Sequence, residues 1–332
     1  MASPLEQLSA ASGREFPNLL KARELTSKGL SERRARLAEL PYDENVSIVL
    51  TGSWGRSEVT SGSDDDFMLL VTGDIGDKGD VREGVRPSKA EVEKILDRPP
   101  GDQGIFGKPV SSRWMIEKIG LEDDQNSNLT RRMLFLLESV YATGGEIYEA
   151  VYNELLDRYL DQSVKSLHPP RFLLNDVVRY WRTMCVDFAG KEREGPEKWG
   201  LRNAKLRTAR KMLFASGLLP VFECNDLEKG QMTEFLRGQL EIPPADRIAR
   251  AFLNHNAADP GGRTLGAYDD FLGLLDKEDF RDELNAVTRE NYKGSPAFSE
   301  TTRLGEDLEQ GLLALLFETD SLPKLVREYA IF

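Results

Sequence analysis

Two aspartates at alternate positions, Asp64 and Asp66, stand directly before the hydrophobic run FMLLV. Residues two apart on a strand point to the same side of it, so the carboxylates of Asp64 and Asp66 should project together and that of Asp65 away from them. Two carboxylates on one face repel each other unless a cation neutralises them. Because Mg²⁺ binds carboxylate oxygens together with substrate phosphates, the pair predicts a magnesium site.

Gly52 and Ser53 precede the aspartates, at the end of the apolar segment VSIVL. A glycine lets the backbone approach a phosphate, and a helix that starts after this strand would offer free N–H groups to the same anion. The Ser53 hydroxyl would add a donor. Together with the aspartates, this arrangement predicts a metal–triphosphate site for two-metal phosphoryl transfer. The alternative is an Asp-rich surface turn between two strands.

The spacing resembles the motif of the DNA polymerase β-like nucleotidyltransferases. In that superfamily a hydrophobic strand is followed by Gly-Ser or Gly-Gly, a short spacer, and Asp-hydrophobic-Asp-hydrophobic. In this chain the strand IVLT is followed by Gly-Ser, ten further residues and DDDF. Asp65 departs from the motif, because the family usually has an apolar residue there. The matching positions are Gly52, Ser53, Asp64, Asp66 and Phe67.

The resemblance implies that a nucleoside monophosphate moves from a nucleoside triphosphate to a hydroxyl group, with release of pyrophosphate. Asp64 and Asp66 would hold Mg²⁺, and Gly52 and Ser53 would hold the phosphates. The family normally has a third carboxylate on a later strand, which helps to bind the metal and can accept the proton of the hydroxyl. Without one, the enzyme would be inactive or would work with two. The candidates in this chain are Glu117, Asp123 and Asp124.

The segment NSNLTRRMLFLLES (126–139) carries two arginines in the first turn of a predicted helix. Positive charge is unfavourable at a helix start. We therefore predict that Arg131 or Arg132 meets an anion or an acidic partner. Asp124 fits the usual preference for an acidic residue at the start of a helix as well as it fits catalysis.

A basic segment, KWGLRNAKLRTARK (198–211), has six positive residues and no acidic one inside an acidic protein. On a helix, Arg202 and Lys205 share a face at i, i+3, and Arg182 with Arg179 repeats that spacing nearby. The resemblance implies that Arg202, Lys205 and Arg182 bind the triphosphate. The alternatives are a solvated basic helix and basic side chains that pair with the excess acidic residues of the protein.

Hydrophobic periodicity places the supporting elements. Buried strands are predicted at 46–50 and 66–71, and a third strand within 104–120, where Pro109 limits it to an edge. A helix in one or two pieces is predicted at 16–40, where Ser31 would cap the second piece if there are two, and a short helix at 88–98. After residue 126 the pattern is helical: 129–142, 145–164, 171–190, 201–217, 264–276, 279–290 and 302–319.

These elements predict an α+β fold. Residues 1–125 would form a polymerase β-like nucleotidyltransferase core, a mixed sheet with helices that includes the N-terminal helix. Residues 126–332 would form a helical domain with a C-terminal tail. The length of 332 residues fits about two domains.

Composition excludes several classes of function. The net charge of −12 gives no basic field for duplex nucleic acid. Two cysteines provide no disulfide framework, and two histidines far apart provide no zinc site. The apolar runs are too short to cross a bilayer and we find no signal peptide, so we expect a cytoplasmic protein without direct membrane insertion.

Three further segments refine the resemblance: GSWGRSE, LTRRMLFLLES and the run from RYWRTMCVDFAGK to KMLFASGLLP. With them the chain resembles the nucleotidyltransferases of the Hailong anti-phage defence systems. That resemblance implies template-independent synthesis of oligodeoxyadenylate from dATP, a single-stranded product that controls a partner membrane channel. It also implies priming at the C-terminal tyrosine, Tyr329 in LVREYAIF, which a mobile terminus could present. The alternative is that Tyr329, Ile331 and Phe332 anchor the tail.

The motif leaves the acceptor open. A small molecule, a tRNA or a toxin protein could receive the nucleotide instead. A catalytically inactive member that only binds nucleotides is the other alternative, because no third carboxylate stands out.

Overall fold

The computed structural model describes residues 2–73, 85–98, 100, 106–161, 164–195 and 197–330. The described chain is α+β, with a small mixed sheet and many helices. It divides into a sheet unit, formed by Ala22–Val59 and Ser63–Ser163, and a helical unit, formed by Met1–Lys21, Thr60–Gly62 and Val164–Phe332. This division departs from the predicted boundary near residue 125, because residues 126–163 belong to the sheet unit and residues 1–21 to the helical unit.

The sheet has four strands in the order β3-β2-β1-β4. β1 pairs antiparallel with β2, from Val46 opposite Val71 to Leu50 opposite Phe67, and antiparallel with β4 on its other side. β2 pairs in parallel with β3. The strands are β1 Val46–Thr51, β2 Phe67–Val71, β3 Pro109–Ser111 and β4 Ser139–Tyr141.

β1 and β2 lie in the middle of the sheet and are buried along their whole length. Their continuous apolar sequences are typical of strands that are covered on both faces. One face packs into a hydrophobic cluster that includes Leu50, Trp54, Phe67 and Leu69. Both predicted central strands are confirmed, and so is the third strand, which lies at an edge as Pro109 requires.

The helices are α1 Pro4–Ser12, α2 Pro17–Leu37, α3 Lys89–Glu93, α4 Ser112–Glu117, α5 Asn126–Leu137, α6 Gly145–Tyr159, α7 Arg171–Glu194, α8 Trp199–Arg207, α9 Ala209–Glu223, α10 Lys229–Leu240, α11 Pro244–Asn254, α12 Ala258–Leu275, α13 Glu278–Ala286, α14 Pro296–Glu318 and α15 Leu322–Leu325. In the helical unit α12 packs on α14, and α7 and α11 pack on α9. In the described part of the chain no helix has the length and apolar character needed to cross a membrane.

The structure decides between one and two pieces for α2 and shifts the ends of several other predicted helices. α2 runs through Ser31, whose hydroxyl donates to the Ser27 carbonyl instead of capping a new helix. The helix predicted to reach residue 142 ends at Leu137, because the next residues pair with the open edge of β1. The helix predicted over 201–217 breaks at Thr208, where φ is −117° and ψ is −91°.

Candidate functional site

Asp66 and Gly52 lie side by side at the end of the central strand pair. The ladder between β1 and β2 continues for one residue, since the Thr51 N–H donates to the Asp66 carbonyl at 2.9 Å. Gly52 follows with φ at +66°, a left-handed conformation that favours glycine. A Cβ at Gly52 would lie 3.4 Å from Asp66 Oδ2. The Asp66 carboxylate therefore faces the half-buried backbone of Gly52, and the structure brings these two predicted site residues together.

The three aspartates differ in burial. Asp64 is exposed, Asp65 is buried and Asp66 is half-buried, all just before β2 begins at Phe67. This order is what strand alternation predicts for a segment whose middle residue points toward the hydrophobic cluster. Asp64 and Asp66 are the carboxylates that solvent, and hence a ligand, can reach.

Asp65 is held by four donors. Its carboxylate accepts hydrogen bonds from Arg33 Nε at 2.9 Å and Arg33 Nη2 at 3.0 Å. The backbone N–H groups of Asp97 and Arg98 donate to Asp65 Oδ2 at 3.0 and 3.1 Å. The side chain is only 1% exposed, so this is a buried ion pair with two further backbone bonds.

We expected an α-helix to begin after Gly52, and that expectation is wrong: the backbone there forms turns. The Arg56 N–H donates to the Gly52 carbonyl at 3.0 Å and the Glu58 N–H to the Ser53 carbonyl at 2.9 Å, which closes a pair of turns. Trp54 is drawn into the core in this segment. A phosphate at Gly52 would therefore meet a turn and the half-buried Ser53 rather than the N-terminus of a helix.

Gly55 explains why the turn is compact. A Cβ at Gly55 would overlap with the main chain of Glu138 and Ser139, where α5 ends and β4 begins. The glycine is therefore needed for the close approach of two backbones, not for a ligand.

Sequence reasoning missed a buried cluster beside this turn. Arg56 forms an ion pair with Glu58 at 2.7 Å and a second one with Glu138. The side chains of Glu58 and Glu138 are only 2% and 5% exposed. Glu138 lies 82 residues away in the chain, so no local pattern signals the contact. The cluster ties the turn to the end of α5.

The three candidates for a third carboxylate have partners of their own. Glu117 lies on α4, not on a strand, and binds Arg113 at 2.8 Å. Asp123 is exposed and binds Lys118 at 3.3 Å. The predicted strand position for Glu117 is therefore wrong, and β3 itself reads Pro-Val-Ser.

Asp124 forms a buried ion pair with Arg132, which confirms that one of the two arginines meets an acidic partner, although Arg132 lies in the second turn of α5 and not at its start. Two hydrogen bonds of 2.7 and 2.8 Å join the guanidinium to the carboxylate. Burial alone would raise the pKa of Asp124, but the bonds and charge of Arg132, with help from Asn128 and the Gly120 N–H, outweigh it and lower that pKa. The pairing gives Asp124 a structural partner in place of a metal.

The described part of the chain contains no three-carboxylate metal centre. Within the ranges that the structure describes, no group of three or more histidine, cysteine, aspartate or glutamate side chains is arranged to hold a metal ion. The candidate site therefore offers the Asp64 and Asp66 pair.

The predicted triphosphate-binding residues lie in the helical unit. Arg182 is exposed on α7, whereas Arg202 is half-buried and Lys205 exposed on α8. Partial burial raises the pKa of the Cys185 thiol, and the positive charges of Arg182 and Arg210 act in the opposite direction. The charges of two guanidinium groups therefore act on this one thiol. A role for Arg182, Arg202 and Lys205 in binding phosphates stays a prediction.

Tyr329 lies in a π-helical segment, Val326–Ala330, and not in an extended tail. Its half-buried ring has the Arg171 guanidinium 5.7 Å from its centroid. Burial, aided by the Glu328 carboxylate, raises the pKa of the phenol, and Arg171 opposes this only in part. Buried Leu325 and Val326 anchor the segment. Ile331 and Phe332, the other predicted anchors, lie outside the described residues.

Comparison with known proteins supplies no relative: no family model, no curated protein and no solved structure matches this chain. The interpretation of the site therefore depends on its residues and their geometry.

Proposed function

We propose that this chain is a Mg²⁺-dependent nucleotidyltransferase built on a polymerase β-like core. The observation that carries the proposal is the approach of the Asp66 carboxylate to Gly52 at the end of the central strands. A glycine without a side chain next to a carboxylate that solvent can reach is an arrangement in which a metal-bound phosphate fits. Asp64 adds a second carboxylate two residues away.

The two carboxylates fit one Mg²⁺ better than two. Mg²⁺ at a nucleotide site is usually held by one or two protein carboxylates, with phosphate and water oxygens completing its shell. Asp64 and Asp66 meet that requirement. Because the described residues bring no third carboxylate to the pair, we propose one Mg²⁺ in place of the two expected from the sequence. When bound, the ion would supply positive charge to the phosphates and to the departing pyrophosphate.

Groups of the protein itself would bind the phosphates and accept the proton of the acceptor hydroxyl. The bare backbone of Gly52 leaves room for a phosphate, and the Ser53 hydroxyl can donate to one of its oxygens. The acceptor hydroxyl oxygen would bond to the α-phosphorus as the bond between that phosphorus and the bridging oxygen to the β-phosphate breaks. The acceptor proton would pass to a site carboxylate or to water, and pyrophosphate would leave.

The resemblance also implies a specific product, oligodeoxyadenylate made from dATP for a membrane effector. Only the sequence resemblance supports that product. Priming at Tyr329 has less support, because that phenol lies half-buried in a helical segment and its pKa is raised. A different acceptor would leave the site chemistry unchanged.

The second candidate function is nucleotide binding without catalysis. The observation that favours it is that Glu117, Asp123 and Asp124 have other partners. A chain of this kind would bind a nucleoside triphosphate and release no pyrophosphate.

The test is incubation of the purified chain with Mg²⁺ and each α-labelled NTP and dNTP, with pyrophosphate release and labelled products measured. We expect transfer in wild type and its loss in the Asp64→Ala, Asp66→Ala double variant. Asp123→Ala is the control, since that exposed aspartate lies in an ion pair with Lys118. Full activity in the double variant would refute the mechanism. Triphosphate binding without pyrophosphate release would favour the inactive nucleotide-binding function.

A further inference from the structure

Asp65 is the residue at which this chain departs from the superfamily motif, and its carboxylate is already bound by donors of the protein. A carboxylate offers about four acceptor positions. Four N–H donors bind the Asp65 carboxylate, three on Oδ2 and one on Oδ1. The Asp65 N–H also donates to the Arg98 carbonyl at 2.7 Å. Backbone and side chain of Asp65 are thus both held in place.

Arg33 joins the aspartates to the turn after Gly52. Its guanidinium lies over the ring of Trp54, 4.1 Å from the ring centroid, while it binds Asp65. Trp54 is the second residue after Gly52 and belongs to the hydrophobic cluster. One half-buried arginine from α2 therefore contacts both stretches of chain that form the candidate site.

The stability of the fold does not by itself explain an ion pair at this position. A buried Arg–Asp pair costs desolvation energy, and replacement of both partners by apolar residues is often neutral or stabilising. What an apolar residue cannot supply is directional bonding. The pair also neutralises the middle one of three consecutive carboxylates, which reduces the repulsion on the carboxylates of Asp64 and Asp66.

We propose that Asp65 is a positioning residue, which through Arg33 and the Asp97–Arg98 backbone fixes the segment that holds Asp64 and Asp66 as metal ligands. This inference rests on the proposed function. Asp65 itself would touch neither the metal nor the nucleotide.

Two variants test the role. Asp65→Asn keeps the shape and weakens the pairing with Arg33. The double variant Asp65→Leu with Arg33→Met leaves no buried charge, so it provides the test if the single variant does not fold. The control is Arg36→Met, which removes another guanidinium from α2 and its ion pair with the side chain of Asp97. Thermal unfolding confirms that each variant is folded.

Three readouts separate positioning from stability: amide hydrogen exchange at residues 64–66, Mn²⁺ affinity by electron paramagnetic resonance, and kcat and KM for the triphosphate. Mn²⁺ binding that is present in wild type and lost in the Asp64→Asn, Asp66→Asn double variant is assigned to this pair of aspartates. In the Asp65 variants we expect faster exchange, an Mn²⁺ Kd raised about 10- to 100-fold and a similar fall in kcat, as is typical when groups that orient metal ligands are lost. KM should change by less than about threefold, because the phosphate contacts at Gly52 and Ser53 remain.

The outcomes are distinguishable. Unchanged exchange and Mn²⁺ affinity in a folded Asp65 variant would overturn the positioning role while the proposed function stands. Equal losses in Arg36→Met would overturn it too, because the effect would not be specific to Asp65. A wild-type chain that binds no Mn²⁺ at Asp64 and Asp66 would overturn the proposed function and this inference together.

Discussion

The Asp66 carboxylate lies against Gly52 because the last hydrogen bond of the central ladder joins Thr51 to Asp66, which places the residue after β1 beside the carboxylate. Gly52 adopts a left-handed conformation there, with φ at +66°. The backbone geometry and the space beside the carboxylate are therefore separate requirements, and substitutions can distinguish them.

Gly52→Ala should lower kcat/KM at least about tenfold, because its methyl group would occupy the space in which we place a phosphate; tenfold corresponds to about 1.4 kcal/mol. The left-handed conformation should also cost about 1 kcal/mol of folding free energy. Gly13→Ala is the matched control, since Gly13 has φ of +68° and open space around its Cβ position. Steady-state kinetics and urea unfolding measure both effects. Equal activity in the two variants would exclude Gly52 from the site.

Arg132→Met should destabilise the protein by about 3–5 kcal/mol, because it leaves the Asp124 carboxylate buried without its charged partner. The two side chains are 0% and 2% exposed. The double variant Arg132→Met with Asp124→Leu should recover most of that loss. Urea unfolding at pH 7 measures both free energies. A double variant as unstable as the single one would show that the ion pair itself is required.

The same pair should make stability fall in acid. The pKa of Asp124 is lower in the folded protein than in the unfolded chain, so the unfolded chain binds the proton more readily. The stabilisation is therefore present above the ordinary aspartate pKa of about 3.9 and is lost as the pH falls through that value toward the lower folded pKa. Unfolding free energies measured between pH 7 and pH 3 should fall less steeply in the Arg132→Met, Asp124→Leu variant. Identical slopes would contradict the assignment.

Gly55→Ala should destabilise the fold by at least about 2 kcal/mol, because its Cβ would overlap with the main chain at Glu138 and Ser139. Gly190→Ala provides a contrast within a helix. A Cβ at Gly190 meets open space in α7, so this change should stabilise by about 0.5–1 kcal/mol. Thermal unfolding of both variants measures the difference. A stable Gly55→Ala protein would mean that the turn does not pack against β4 as described.

Tyr329→Phe should leave nucleotide transfer and its products unchanged. The phenol is half-buried beside Arg171 and its pKa is raised, which opposes loss of the proton that a priming oxygen must give up. A denaturing protein gel with labelled dATP measures attachment to the chain. A label ladder on wild type that disappears in Tyr329→Phe would contradict this expectation and establish self-priming.

Local patterns predicted the central part of the sheet well. The continuous apolar runs around Ile48 and Leu69 are typical of buried strands, and Pro109 favours an edge position for the third strand. β4 could not be predicted, because Ser139–Tyr141 forms a strand only where the edge of β1 is available to it. Thr208 likewise interrupts a helical pattern that has no proline or glycine at the break.

The candidate site was only partly visible in the sequence. The alternation of Asp64, Asp65 and Asp66 follows from strand geometry, and their burial agrees with it. The partners of Asp65 could not be predicted, since Arg33 lies 32 residues earlier and the Asp97 N–H 32 residues later. Such contacts are set by tertiary packing, which local periodicity does not encode.

The order of the strands also affects how copies of the protein meet. Both edges of the sheet, β3 and β4, are three residues long, whereas the longer apolar strands β1 and β2 are internal. A short edge offers few unpaired backbone groups to a strand from another molecule. The two most aggregation-prone segments of this sheet, which also lead to Gly52 and follow Asp66, are thus kept from pairing between molecules for as long as the sheet stays folded.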